Sequence, residues 1–238
     1  MQSVSADNLL ITAAAASARE GYVAFLSGLR GVVAEGLSGI SNGTKSLMGI
    51  ERDVKRLTEH HEELVLEQLK RELLSASLSA LRASERSGAG YVSERSVAVS
   101  ESLAAGFYNS LSETVSKQMR RDASKADAFM RRQLIQGRAF ATTEELIHDL
   151  TFKFVDRSGR EIDSEEYAFR EANWALRQHF NSVLLYSASE LGIEMFVVEG
   201  GSKSGTKLSL EDYDKYSGSI FHHNSKALLQ PLTNYSVS

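Results

Sequence analysis

Residues 50–81, IERDVKRLTEHHEELVLEQLKRELLSASLSAL, decide the fold class because they carry an uninterrupted helical repeat. Apolar or small side chains recur every three or four residues with Glu, Lys and Arg between them, which predicts one long amphipathic helix. The repeat comprises Ile50, Val54, Leu57, His61, Val65, Leu69, Leu73, Ala76 and Ala80. We expect His61 to pack within this stripe. His60 lies about 100° away around the axis, so the two rings do not share a face as an i, i+4 metal pair would.

The segments on either side of this repeat predict two further helices. After a break of small residues at 84–90, apolar residues from Val99 to Leu134 recur mostly in four-residue steps, which predicts a second long helix and an antiparallel αα hairpin. Upstream, residues 3–42 are rich in Ala, Ser and Gly. Each interior glycine costs about 1 kcal/mol of helix stability, so we expect a broken helix there or one supported by close packing.

The last hundred residues predict strands as well as helices. Residues 152–155 read as a strand closed by a turn at 156–160, and a helix follows from about Asp163 to Leu191 with Gly192 as its left-handed cap. A second strand is expected at 193–198. The sequence therefore predicts an α+β, predominantly α protein in which long N-terminal helices over residues 1–140 precede a small α+β module over residues 141–238.

Composition excludes several kinds of site. The 238 residues contain no cysteine, so disulfides, thiolate nucleophiles and cysteine-ligated metals are excluded. A net charge of −4 argues against a protein that wraps nucleic acid over its whole surface, although a local basic patch remains open. No run of about 18 uncharged apolar residues predicts a membrane span, and the first ten residues lack the layout of a signal peptide.

Positive charge concentrates between residues 117 and 138, where seven basic side chains accompany Asp122 and Asp127. On a helix the seven fall within an arc of about 140°, opposite an apolar stripe. They are Lys117, Arg120, Arg121, Lys125, Arg131, Arg132 and Arg138. Two interpretations stay open: contact with DNA or another polyanion, which releases counterions, or a face that is solvated or paired with acidic groups of a neighbouring subunit. Phe129 is the one aromatic residue interleaved, which disfavours a stacking platform for single strands.

Pieces of the C-terminal region stand in an order that resembles a known family. They are Asp156-Arg157-Ser158-Gly159-Arg160, Tyr167-Ala168-Phe169-Arg170, Leu191-Gly192-Ile193-Glu194 and Phe221-His222-His223-Asn224-Ser225-Lys226. Over about residues 150–235 this order resembles the C-terminal module of the minor capsid (head-morphogenesis) proteins of tailed bacteriophages. His223 and Ser225 stand where such proteins often have proline and cysteine, and the upstream cysteine pair of some members is missing. A family-type metal site is therefore not expected.

The resemblance implies a structural, non-enzymatic virion protein, near the portal or inside the head, that assists head assembly or DNA ejection. Its expected partners are portal or capsid proteins, further copies of itself and double-stranded DNA. No cofactor, metal or membrane partner is expected. The expected location is the virion, and the host cytoplasm during assembly.

Two other function classes remain open. One is a bacterial helical adaptor or effector without catalytic activity. The other is a hydrolase, which would require Asp156, Glu165, Glu166 and His179 to converge. Glu165 and Glu166 stand at a predicted helix start, where the macrodipole already favours acidic residues, so an enzyme is not expected.

Overall fold

The computed structural model describes residues 5–87, 90–137, 149–223 and 225–232, with the side chain of Ser217 left aside. Arg138 and Asn224, two of the predicted site residues, lie outside these ranges. The helices are α1 (Ala6–Ser41), α2 (Leu47–Ser87), α3 (Glu94–Gln136), α4 (Ser164–Glu190) and α5 (Asp212–Ile220). The strands are β1 (Lys153–Val155), β2 (Glu161–Asp163), β3 (Met195–Glu199), β4 (Lys207–Ser209) and β5 (Leu228–Pro231). The predicted class, α+β and predominantly α, is confirmed.

Serine side chains begin the three long N-terminal helices. The hydroxyl oxygens of Ser5, Ser46 and Ser93 each accept a hydrogen bond from the backbone N–H three residues later, at distances of 3.3, 3.2 and 3.0 Å. Such N-caps satisfy amide groups that a helix end leaves without intrahelical partners. Just after the C-terminal end of α4, Gly192 has φ +70°, which confirms the predicted left-handed cap.

The chain packs as two compact units, each assembled from separate stretches of sequence. The first unit contains Met1–Ala16, Gln68–Ser112 and Arg170–Ser238, and the second contains Ser17–Glu67 and Glu113–Phe169. Each unit draws on residues from both sides of positions 140 and 141. The reason is helix length: α1, α2, α3 and α4 are long enough for each to contribute to both units.

Helix α1 is continuous, so of the two expected forms, a broken helix or one supported by close packing, the second is confirmed. In the second unit an ideal Cβ at Gly36 would lie 2.7 Å from Ile50 Cγ2, and one at Gly28 would lie 3.0 Å from Leu57 Cδ1. Glycine therefore lets α2 approach the α1 backbone closely. Among the described helices α1 alone is long and apolar enough to meet the requirements of a membrane span, and 39% of its most apolar window is buried inside the protein.

The second unit also contains part of the predicted antiparallel αα hairpin, formed by α2 and α3, and the β1–β2 hairpin. Its core combines side chains from three helices, with Tyr22, Phe25, Ile50, Met119 and Met130 fully buried. His61 packs against Phe25, with 6.0 Å between ring centroids, as its place in the apolar stripe predicted. Burial, together with the charge of His60, lowers its pKa.

The first unit is built around α4 and a three-stranded antiparallel sheet with the order β4-β3-β5. Phe180 of α4 is fully buried, whereas Trp174, on the predicted second side, is half-buried and lies against the His223 ring at 5.1 Å. Arg177 is buried too, and burial lowers its pKa to about 10, partly opposed by the charge of Glu199.

The Arg177 guanidinium joins separate parts of the first unit. It donates to Asn8 Oδ1 and Thr12 Oγ1 on α1, each at 3.0 Å, and to the Lys226 carbonyl at 2.8 Å. One turn further along α4, Asn181 Oδ1 accepts a hydrogen bond from the Leu229 N–H of β5 at 2.9 Å. Polar groups of α4 thus fix both the start of α1 and the edge of the sheet.

The two glycines Gly36 and Gly31 allow a matched test of the close helix packing. Gly36→Ala should lower the free energy of unfolding by about 1–3 kcal/mol, because the new methyl group would overlap the fully buried Ile50. At Gly31 an added methyl group would meet open space, so Gly31→Ala should raise the free energy of unfolding by about 0.5–1 kcal/mol through helix propensity. Urea unfolding of both variants measures the contrast, and equal effects would contradict it.

Candidate polyanion-binding surface

Six residues of the predicted basic face lie in the described part of α3, within the second unit. Lys117, Arg120, Arg121, Lys125, Arg131 and Arg132 are all exposed, as the helical arc predicted. Their side chains nevertheless fall into two groups, because α2 offers carboxylates to one edge of the arc.

Arg120 and Arg131 are committed to ion pairs inside the unit. Arg120 donates through Nη2 to Glu62 Oε1 at 2.8 Å and through Nε to Glu62 Oε2 at 3.3 Å, and Arg131 pairs with Glu51. Such a two-point contact fixes the plane of the arginine guanidinium relative to that of the carboxylate. Of the two interpretations given to the basic face, ion pairing therefore applies to these two residues, although the acidic partners belong to the same chain.

The groove beside these ion pairs does not favour anions. It has a volume of about 520 Å³ and lies between α2 and α3. Its lining contains four carboxylates against three basic side chains. One of the four is Asp127, whose pKa is raised by burial and by the charge of Glu51, against the effect of Arg131.

Lys125 occupies the opposite edge of the arc. Its Nζ donates to the Lys153 carbonyl of β1 and lies 3.6 Å from Asp122 Oδ1. This lysine therefore joins α3 to the base of the β1–β2 hairpin.

Between these edges stand three exposed cations: Lys117, Arg121 and Arg132. Within the described ranges they make no hydrogen bond or ion pair, and we call them the unpaired strip. At 100° per residue they fall within an arc of about 60°, and at 1.5 Å per residue they span about 22 Å. A row of unpaired cations on a regular helix is an electrostatic footprint suited to a linear polyanion.

A buried carboxylate on the opposite side of α3 sets the orientation of this strip. Asp122 is fully buried and accepts hydrogen bonds from Tyr22 Oη at 2.8 Å, Ser164 Oγ at 3.2 Å and Gln118 Nε2 at 3.2 Å. Burial raises the pKa of Asp122, although these hydrogen bonds and the charge of Lys125 oppose the rise. Burial of Tyr22 itself, with the nearby charge of Asp122, raises the pKa of Tyr22.

The turn between β1 and β2, part of the family-like series, is closed by hydrogen bonds to Asp156. Asp156 Oδ1 accepts from Ser158 N–H at 2.8 Å, Ser158 Oγ at 2.6 Å and Arg160 N–H at 2.9 Å, and Gly159 supplies the positive φ of +82°. The hydrogen bonds from Ser158 and Arg160 lower the pKa of Asp156. Arg157 is exposed and has no partner among the described residues.

The other family-like residues lie on both units. In the second unit Tyr167 stacks on Phe154, with centroids 3.8 Å apart and planes 9° from parallel. In the first unit, Phe221 is buried and its carbonyl accepts from Gln178 Nε2 at 2.8 Å, while Arg170 is half-buried and His222 exposed. His223 pairs with Glu171 at 2.9 Å, and this hydrogen bond raises the pKa of His223 although burial opposes it.

The four residues considered for a hydrolase are divided between the two units, and His179 packs in a core. Asp156, Glu165 and Glu166 belong to the second unit, whereas His179 belongs to the first unit and is fully buried. His179 Nε2 lies 2.6 Å from Ser77 Oγ, and burial lowers its pKa to about 4. It is therefore a neutral core histidine at physiological pH. No cluster of metal-ligating side chains occurs in the residues that the structure describes.

The sequence interpretation missed the acidic partners and the buried carboxylate. A signal for the partners exists: Glu51 and Glu62 are eleven residues apart, as are Arg120 and Arg131, which suits two ion pairs across antiparallel helices. Asp122 was counted with the basic face although it points inward.

Comparison with known proteins gives no assignment. No protein-family model, curated protein or solved structure matches the chain. The chemistry of the surface therefore has to be argued from its own geometry.

The raised pKa of Asp122 gives a pH prediction with a definite sign. The folded state holds the Asp122 proton more tightly than the unfolded chain, so wild-type stability contributed by this group falls as the pH rises through the folded-state pKa. The free energy of unfolding of the wild type minus that of Asp122→Asn should therefore increase as the pH is lowered from about 7 toward the ordinary value near 3.8. Urea unfolding across this range measures the difference, and a constant or decreasing difference would contradict the raised pKa.

Proposed function

We propose that the protein is a non-catalytic, structural minor capsid protein of a tailed bacteriophage. It lies near the portal or inside the head and assists head assembly or DNA ejection. Its partners are portal or capsid proteins and further copies of itself. Its location is the virion, and the host cytoplasm while heads assemble.

One observation carries this proposal: both ends of the family-like series contact α4. At its beginning, β2 ends at Asp163 and α4 starts at Ser164, and Phe154 of the same hairpin stacks on Tyr167. At its other end, the Phe221 carbonyl and the His223 ring bind Gln178 and Glu171. Pieces far apart in sequence thus contact one helix, the first pieces in the second unit and the last in the first unit, and this shared helix supports the resemblance.

Two serine hydroxyls of the family-like series form hydrogen bonds within turns, which supports the non-catalytic part of the proposal. Ser158 donates to Asp156 within the turn, and Ser225 Oγ accepts from the Ala227 N–H at 3.1 Å. These hydroxyls stabilise turns.

A helical adaptor or effector is the second candidate, and an exposed apolar pair favours it. Leu74 and Leu78 stand one turn apart on α2 with 42% and 55% of their surface exposed. A protein partner that covers them would bury apolar area. Such an adaptor would be recovered from the host in soluble complexes, away from particles.

The distribution of the chain between particles and soluble fraction tests the proposal. Particles made from the genome that encodes the chain are purified on a density gradient, washed in high salt and quantified by mass spectrometry. We expect the chain at a constant ratio to the major capsid protein across independent preparations. Its absence from washed particles, with recovery in soluble host complexes, would contradict the proposal and favour the adaptor.

A further inference from the structure

We infer that the unpaired strip and the tip of the β1–β2 hairpin form one surface of the second unit that binds the phosphate backbone of double-stranded DNA. The cations of this surface are Lys117, Arg121 and Arg132 on α3 and Arg157 in the turn. The inference rests on the proposed function only in taking the packaged genome as the DNA that the surface meets.

These four side chains are available to bind a polyanion. The hydrogen bonds and ion pairs of the described residues occupy Arg120, Arg131 and Lys125, and they leave the strip and Arg157 without partners. An ion pair must be broken before its arginine can neutralise a phosphate, whereas an unpaired cation binds without that cost. The unpaired side chains are therefore the first to meet a polyanion.

The spacing along α3 suits a duplex. Lys117 and Arg121 lie about 6 Å apart along the helix axis, and Arg132 lies about 16 Å beyond Arg121. The shorter step matches neighbouring phosphates of one strand, and the longer one is enough to cross a major groove about 12 Å wide.

The hairpin lies beside the strip because its base is fixed to α3. Ser164, which follows β2, donates to Asp122, and the Lys153 carbonyl of β1 accepts from Lys125. Arg121 and Lys125 are one helical turn apart, so this anchor adjoins the strip. The turn begins about three strand residues beyond it, or roughly 10 Å. Asp156 shapes the turn, and Arg157 stands at its tip.

The groups between the cations favour a duplex over single-stranded nucleic acid. The exposed position inside the strip is Ala128, and Ser124 lies at its edge; both are small enough for a phosphate backbone to come close. Phe129 is buried, so the strip presents no aromatic platform to stacked bases. With contacts to phosphates only, binding should not depend on base sequence.

The test measures binding of the full chain to a labelled duplex of random sequence by fluorescence anisotropy between 50 and 200 mM salt. Four neutralised phosphates predict a slope of log affinity against log salt of about −3 to −4, or an affinity loss of about 100-fold over this range. The affinity of the triple variant K117Q/R121Q/R132Q should fall only about fourfold over the same salt range, because one phosphate contact remains. Arg157→Gln should make the slope less steep by about one.

Two matched variants separate this surface from general charge. K70Q/R71Q/R82Q removes three exposed cations of α2 in the first unit and should leave the slope unchanged. R120Q/E62Q removes one ion pair without altering net charge and should also leave it unchanged. Circular dichroism melting confirms that each variant is folded.

Two results would overturn the inference. One is the absence of salt-dependent binding by the wild type at 50 mM salt, which would assign the strip to an acidic protein neighbour. The other is an equal reduction of the salt slope in K117Q/R121Q/R132Q and K70Q/R71Q/R82Q. Either result leaves the presence of the chain in virions untouched, and a chain missing from virions that binds DNA as described would refute only the proposed function.

Discussion

The buried carboxylate of Asp122 is the constraint on which the second unit depends. An ionised group in the middle of a helix and out of water is costly unless donors surround it. Tyr22 of α1, Gln118 of α3 and Ser164 at the start of α4 supply them. Because Tyr22 and Ser164 lie on other helices, their hydrogen bonds to Asp122 fix the rotation of α3 about its axis, whereas Gln118 donates within α3. A shift of one residue would turn this helix by about 100° and carry Arg121 toward the core.

The first unit uses a buried basic side chain in the same way. Arg177 of α4 hydrogen-bonds the beginning of α1 and the segment just before β5. Each unit is thus assembled from distant stretches of chain around one desolvated ionisable group. This arrangement suits a protein with long helices, whose apolar stripes alone permit sliding along the axis, whereas a hydrogen-bonded charge permits one register.

Local signals predicted the elements, and long-range pairing decided the rest. The 50–81 repeat, the Asp156–Arg160 turn and the Gly192 cap depend on neighbours within a few residues, so periodicity and turn chemistry were enough to place them. The ion pairs of Arg120 and Arg131 join residues 58 and 80 positions apart and depend on the register of two helices. The continuity of α1 likewise depends on Ile50 and Leu57, which fill the space that its glycines leave. The basic face was therefore predicted in outline, but not which of its cations are unpaired.

Thiol labelling tests most directly whether Asp122 sets the orientation of α3, since the chain has no native cysteine. Ala126 is fully buried and Ala128 exposed on the same helix, so Ala126→Cys and Ala128→Cys change little but report opposite faces. We predict that the cysteine at 126 reacts at least about tenfold more slowly than that at 128, which corresponds to about 1.4 kcal/mol of protection. Adding Asp122→Ala should remove this protection and leave the reaction at 128 unchanged. Undiminished protection at 126 in the Asp122→Ala background would contradict the account.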